Sequence, residues 1–135
     1  MAKEFNIFIS HSWSYSKDLE NLQNLLIKRG YFNVSFLEPT KQTPIKSIHA
    51  PYVRKILRKR ILNANIVIGL AGMYATYSDW MIWELNTAEY YDIPIIGVIP
   101  RGKKRVSSEV TSRSIDDINW NTESIISAIR KHALK

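Results

Sequence analysis

The sequence predicts an α/β fold in which a parallel sheet is covered by helices on both faces. Three observations carry that expectation. Short runs such as Phe5-Asn6-Ile7-Phe8-Ile9, Ile66-Val67-Ile68-Gly69-Leu70 and Ile93-Pro94-Ile95-Ile96-Gly97-Val98-Ile99 are almost continuously apolar and rich in β-branched residues. That is the pattern of strands buried on both faces. Between them lie segments whose apolar residues recur at helical spacing. The two kinds of segment alternate as β-α-β-α-β-α-β, then a loop and a last helix, an order that calls for crossovers within one sheet.

Residues 5–10 make the first strand, placed in the middle of the sheet. The loop after it, Ser10-His11-Ser12-Trp13-Ser14-Tyr15, is polar and aromatic, and Ser14 or Ser16 can cap the next helix. Leu19, Leu22, Leu25 and Leu26, with Ile27 at the margin, form the stripe of that helix, and Gly30 ends it. A second strand, residues 33–37, is short and alternates at Val34 and Phe36, which suits an edge. Residues 38–44 form a loop punctuated by Pro39 and Pro44.

The helix expected over 48–63 turns Val53, Ile56, Leu57 and Ile61 inward and tolerates Pro51 only in its first turn. Residues 66–70 are the third strand. A turn over 71–77 leads to a helix over 78–91, with Ser78 as N-cap and Asp79 near its positive end. Met81, Leu85 and Ala88 face the core, while Trp80, Glu84 and Ala88 share a side at steps of four. Asp92 turns the chain into a fourth strand over 93–99, where Pro94 costs little if it precedes the ladder. Residues 101–114 read as basic loop with at most a short structured piece. The last helix, 121–133, puts Ile125, Ala128, Ile129 and His132 on one side. The expected strand order is therefore 2-1-3-4, with a weak fifth strand allowed, in the flavodoxin-like manner.

At 135 residues the chain fits one domain. Its 45% hydrophobic and 11% aromatic content is ample for a core. No apolar run reaches the roughly 20 residues that span a bilayer, and residues 1–4 lead straight into a strand. Cysteine is absent, which excludes disulfides, thiolate nucleophiles and thiolate metal sites. Cytoplasmic residence is the simplest expectation. The net charge of +7 comes largely from Arg54-Lys55, Arg58-Lys59-Arg60 and Arg101 with Lys103-Lys104-Arg105. A solvated surface accounts for it first; phosphate recognition or an acidic partner comes second.

In an open parallel sheet, ligands bind beyond the carboxyl ends of the strands, where the strand order reverses. The loop at 10–15 and the segment 72–84 meet at that crevice. Glu84 is thereby a carboxylate on a rigid helix beside Trp80, although a Glu in such a position is more commonly a solvated residue. Ser10, His11, Ser12 and the backbone at the helix start can bind a nucleotide. Trp13 and Trp80 can stack on a base or simply pack, and Tyr74 and Tyr77 can frame the pocket or cover the sheet end. No Gly-rich phosphate loop, nucleophile elbow or metal cluster is visible, with His49 and His132 isolated. As a cleft residue Glu84 would carry little folding energy, so Glu84→Gln should leave stability nearly unchanged.

The segment Ser78-Asp79-Trp80-Met81-Ile82-Trp83-Glu84-Leu85 resembles the S-x-W-C-x-x-E-L box of TIR domains, with Met81 at the usual Cys. Asn6-Ile7-Phe8-Ile9-Ser10-His11-Ser12 is similar to the family's opening strand, and Ile93-Pro94-Ile95-Ile96-Gly97-Val98-Ile99-Pro100 to its I-P-V-x-P-V strand. Within that family the likeness is to the short TIR-like proteins of Thoeris antiphage defence. The resemblance implies Glu84 as the catalytic residue of NAD cleavage, with NAD as substrate and no other cofactor. It also implies a nucleotide signal, a phage-derived activator and a downstream effector that senses the product. The Arg-Asp or Pro-Gly pair by which many TIR domains self-associate is missing from residues 38–44, which leaves assembly through that loop in doubt. Three other functions compete: a non-catalytic interaction module, a basic nucleic-acid-binding domain, and another N-ribosyl enzyme of the deoxyribosyltransferase kind.

Overall fold

The computed structural model describes residues 4–11, 16–29, 33–36, 50–72, 79–100 and 107–134. In chain order they form β1 (Glu4–Ser10), α1 (Ser16–Lys28), β2 (Asn33–Phe36), α2 (Ala50–Leu62), β3 (Ile66–Leu70), α3 (Asp79–Tyr90), β4 (Ile95–Val98), α4 (Ser108–Thr111), β5 (Asp116–Ile118) and α5 (Thr122–His132). The five strands lie in the order β2-β1-β3-β4-β5 and every pairing is parallel. The sheet is the flavodoxin-like one expected, with the short β2 at one edge. The fifth strand is formed, at the other edge.

Strand alternation sorts the apolar residues onto two faces. Ile7, Ile9, Ile66, Ile68, Ile96 and Val98 meet Leu22 and Leu26 of α1 and Ile125 and Ile129 of α5. On the opposite face Phe8, Val67 and Ile95 meet Val53, Leu57 and Ile61 of α2 and Met81, Leu85 and Ala88 of α3. The third strand is buried along its whole length, as its unbroken apolar run requires. Ile27 is the exception to its helix's stripe: it is 60% exposed, because it lies one step past the inward Leu26.

Element ends follow local chemistry. Pro94 precedes β4, and its carbonyl accepts a 2.9 Å bond from the Val67 amide. Proline thus supplies the acceptor it has and is spared the donor it lacks. Asp92, at φ 58°, is a non-glycine residue in the left-handed region, a conformation Asp tolerates better than most. It lets the Ile93 amide reach back to the Ala88 carbonyl at 2.9 Å and close the helix. Asn121 caps α5 by accepting from the Ser124 amide at 3.0 Å.

The stretch expected as loop before the last helix contains α4, capped by Ser107. Its reason is Val110, which packs down onto Gly69 and Gly97, paired neighbours in β3 and β4. Among the described residues, no helix is long and apolar enough to cross a membrane, and no group of His, Asp or Glu could hold a metal ion.

Candidate functional site

Ser10 ends β1 and lies opposite Gly69 of β3 in the ladder. By alternation it projects to the same side as Phe8, the side that α3 covers. Glu84 stands about one and a half turns into α3. The Ser10 hydroxyl donates a 2.7 Å hydrogen bond to Glu84 Oε1. A bond between residues so far apart in sequence ties the interior strand β1 to the helix at the carboxyl end of the sheet.

Glu84 is 3% exposed and Ser10 is fully buried. The expectation of a cleft carboxylate with little weight in folding is therefore corrected: the glutamate sits among Met81, Leu85 and Trp80 in the α3 layer. Burial pushes its pKa up to about 8, against the opposing pull of the Ser10 bond. Among the described residues no cation pairs with it. A buried carboxyl lacking a counter-charge favours its neutral form, because removing a charge from water costs more than one hydroxyl returns. The empty protein at neutral pH accordingly holds Glu84 mainly as the acid.

His11 follows Ser10 directly, is 3% exposed, and has Nδ1 3.4 Å from the Ile9 carbonyl. It belongs to the same buried end of β1. Trp80 is buried in the α2–α3 core and meets Trp83 edge to face, with centroids 5.8 Å apart. Ser12, Trp13, Tyr74 and Tyr77 lie outside the described residues, as do the N-cap Ser78, the capping candidate Ser14, Gly30, His49, the 38–44 loop and the basic run at 101–105. His132 Nε2 lies 3.2 Å from Asp116 Oδ2 at the β5 edge.

Two features escaped the sequence reading. The first is the Ser10–Glu84 link itself, whose signal was available: both the parity of Ser10 in its strand and the inward stripe of α3 point to one layer. The second is an open groove of about 330 Å³ on the outside of α3, lined by Arg58, Trp83, Asn86, Thr87, Tyr90 and Tyr91. Arg58 lies over the Trp83 ring at 5.8 Å, so this member of the α2 basic cluster is half-buried against an aromatic face and not simply solvated.

Chemically, the arrangement offers one protonatable group at the strand-order reversal, with a fixed donor beside it. Such a carboxyl can donate as an acid or, beside a positive ligand, ionise and stabilise that charge.

Comparison with solved structures gives the same fold at low identity. A 2-deoxyribosyltransferase from Bacillus psychrosaccharolyticus superposes with a TM-score of 0.62 at 18% identity, over 89% of each chain. A conserved protein from Enterococcus faecalis V583 gives 0.60 at 9% identity, over 96% of this chain and 99% of that one. The CMP N-glycosidase BcmB from Clostridium botulinum gives 0.55 at 15%, over 93% and 98%. No curated protein matches the chain. Residues 8–105, well over half of the sequence, match the family model of the Thoeris protein ThsB TIR-like domain, and the chain belongs to that family.

Proposed function

We propose that this protein cleaves NAD at the bond between nicotinamide and ribose. The ADP-ribose-derived product, a cyclic isomer or a conjugate, would serve as a signal that activates a separate effector. The setting is the cytoplasm of a phage-infected bacterium, with a phage component as trigger. The observation that carries the reading is the buried Glu84 carboxyl, held by Ser10 at the carboxyl ends of β1 and β3.

The chemistry suits that group. As the C1′–N bond breaks, its electron pair leaves with nicotinamide and neutralises the pyridinium ring. Positive charge develops on the ribose as an oxocarbenium ion, as in glycoside cleavage. The cationic substrate lowers the pKa of a nearby carboxyl and drives Glu84 to its anion. That anion, in a site shielded from water, stabilises the oxocarbenium ion more strongly than it would in solvent. Since the leaving group departs neutral, no second acid is needed. Water, an adenine nitrogen or ribose hydroxyl of the same molecule, or an external nucleophile then captures the ribose and gives up a proton. His11, Ser12, Trp13, Tyr74, Tyr77 and Trp80 are the proposed substrate contacts. Two of the similar structures bear names from N-glycosidic chemistry; at their identities they support the fold of this reading and nothing finer.

The test is mass spectrometry of nucleotides from infected cells that express wild type or Glu84→Gln. Wild type should yield an ADP-ribose-derived species together with nicotinamide, and Glu84→Gln should lose it by at least about 100-fold. Equal product from both removes Glu84 from the chemistry.

One observation favours a second reading, a protein-interaction module. The groove at Arg58, Trp83 and Tyr90 has the Trp, Tyr and Arg composition of interface hot spots, and Tyr90 is 79% exposed. On that reading Arg58→Ala and Tyr90→Ala abolish protection against phage while Glu84→Gln retains it.

A further inference from the structure

We propose that Ser10 is a positioning residue for Glu84, holding its carboxylate ready for a cationic ligand, and is not itself a contact to the nucleotide. This rests on the NAD reading of the same site for its functional meaning, though its physical content stands apart.

Three observations support it. The Ser10 hydroxyl is fully buried and already committed to Glu84 Oε1 at 2.7 Å. The bond is the only fixed donor to that carboxyl among the described residues, and it acts against burial by favouring the ionised form. The third is the sheet beneath: Ser10, Gly69 and Gly97 are partners across β1, β3 and β4. An alanine methyl at Gly69 would lie 3.4 Å from Leu85 and 2.9 Å from Val110. The row of small residues thus lets α3 sit close enough to the sheet for a short side chain to reach Glu84. A larger residue at position 10 would fill that space and a nonpolar one would leave the acid without a donor.

The other charged or titratable groups on the surrounding elements are Glu4 of β1 and His11 beyond it, Arg54, Lys55, Arg58, Lys59 and Arg60 on α2, Asp79 and Glu89 on α3, and Glu109 on α4. None of them enters the causes of the Glu84 shift, which are burial and the Ser10 bond alone. Removing the hydroxyl therefore removes the one local influence that favours the anion. A donor to an ionised acceptor outweighs the same donor to a neutral one by enough to move a titration midpoint about one pH unit.

The experiment is a ¹³C-carboxyl NMR titration of Glu84 from pH 5 to 10 in purified wild type, Ser10→Ala and Ser10→Thr. Glu84→Gln assigns the resonance. Ser10→Ala should titrate about one pH unit higher than wild type. Ser10→Thr, which keeps the hydroxyl, should restore the wild-type midpoint. An unchanged midpoint in Ser10→Ala overturns the assignment.

Should Ser10→Thr be too crowded to fold, a stability cycle takes its place. The loss caused by Ser10→Ala should grow between pH 7 and pH 10, and should be pH-independent in a Glu84→Gln background. A pH-independent loss in both backgrounds also overturns the assignment. In extracts of infected cells, the alkaline shift should appear as about a tenfold fall in kcat/KM for NAD at pH 7, carried mainly by KM because bound substrate already ionises Glu84, and recovered towards pH 9. A shifted Glu84 midpoint with no product from any variant, wild type included, keeps the positioning role and discards the NAD reading.

Discussion

The two faces of the sheet are built differently. Under α1 and α5 the packing is mainly aliphatic, with Ile, Leu and Val from β1, β3, β4 and β5 and from the two helices filling the layer. Under α2, α3 and α4 the sheet thins to Ser10, Gly69 and Gly97, and the helices bring Trp80, Glu84 and Val110 down into the space. Two of the buried polar side chains on that side, Glu84 and Thr87, come from a single helix. One face is almost uniformly apolar, and the other buries an ionisable group at a cost in stability. The difference puts a buried titrating group in one apolar layer and none in the other among the described residues.

The largest expected effect breaks that comparison at Glu84. Its pKa is raised from an ordinary 4.5 to about 8, so between those values the native state keeps a proton the unfolded chain has lost. Stability is then full below pH 4.5 and falls as pH rises towards 8, by at most about 1.4 kcal/mol per pH unit. Glu84→Gln has no such proton. Denaturant unfolding should show the variant gaining on wild type by a few kcal/mol between pH 5 and pH 8. Parallel pH curves would mean that the carboxyl is already ionised and paired in the native state.

On the aliphatic face, Ile125→Ala should cost about 2–5 kcal/mol through lost burial and the cavity left behind. That loss should be the same at pH 5 and pH 8, since the layer around Ile125 is apolar. On the proposed NAD-cleaving function, product formation by the folded variant should stay near wild type.

The small-residue row gives an intermediate effect. A methyl at Gly69 would approach Val110 Cγ1 to 2.9 Å, and β-branched Val110 cannot swing aside without moving α4. Gly69→Ala should cost about 1–3 kcal/mol by overpacking. Val110→Ala combined with Gly69→Ala should recover part of it, a coupling that a double-mutant cycle reads directly.

Most of the architecture was legible because its signals are local. Three apolar runs marked central strands, and the inward stripe Met81, Leu85 and Ala88 oriented α3 correctly. The edge strand β5 was harder: Asp116-Asp117-Ile118 lacks an apolar run, and its pairing comes from β4 instead of from its own composition. α4 was missed as a packing element because Val110 acquires its role only once Gly69 and Gly97 lie side by side. At the site, sequence placed Glu84 and Ser10 at the same end of the sheet but assigned them separate tasks. Their bond depends on how closely α3 approaches β1, a tertiary distance that neither segment encodes alone.

The smallest effect tests whether the closing turn of α3 shapes the site helix from its far end. Asp92 occupies the left-handed region at φ 58°, where glycine pays no steric penalty. Asp92→Gly relieves that strain but loosens the unfolded chain, and the two terms nearly offset. The net change should be below about 1 kcal/mol, with Asp92→Val costing more, since a β-branched side chain fits that region poorly. The substitution leaves untouched the backbone groups of the Ile93 amide bond to the Ala88 carbonyl, so α3 should keep its register. The Glu84 carboxyl should then titrate as in wild type. A shifted midpoint in Asp92→Gly would instead show that the helix terminus and the Ser10 contact move together, making the position of α3 a property of the whole layer.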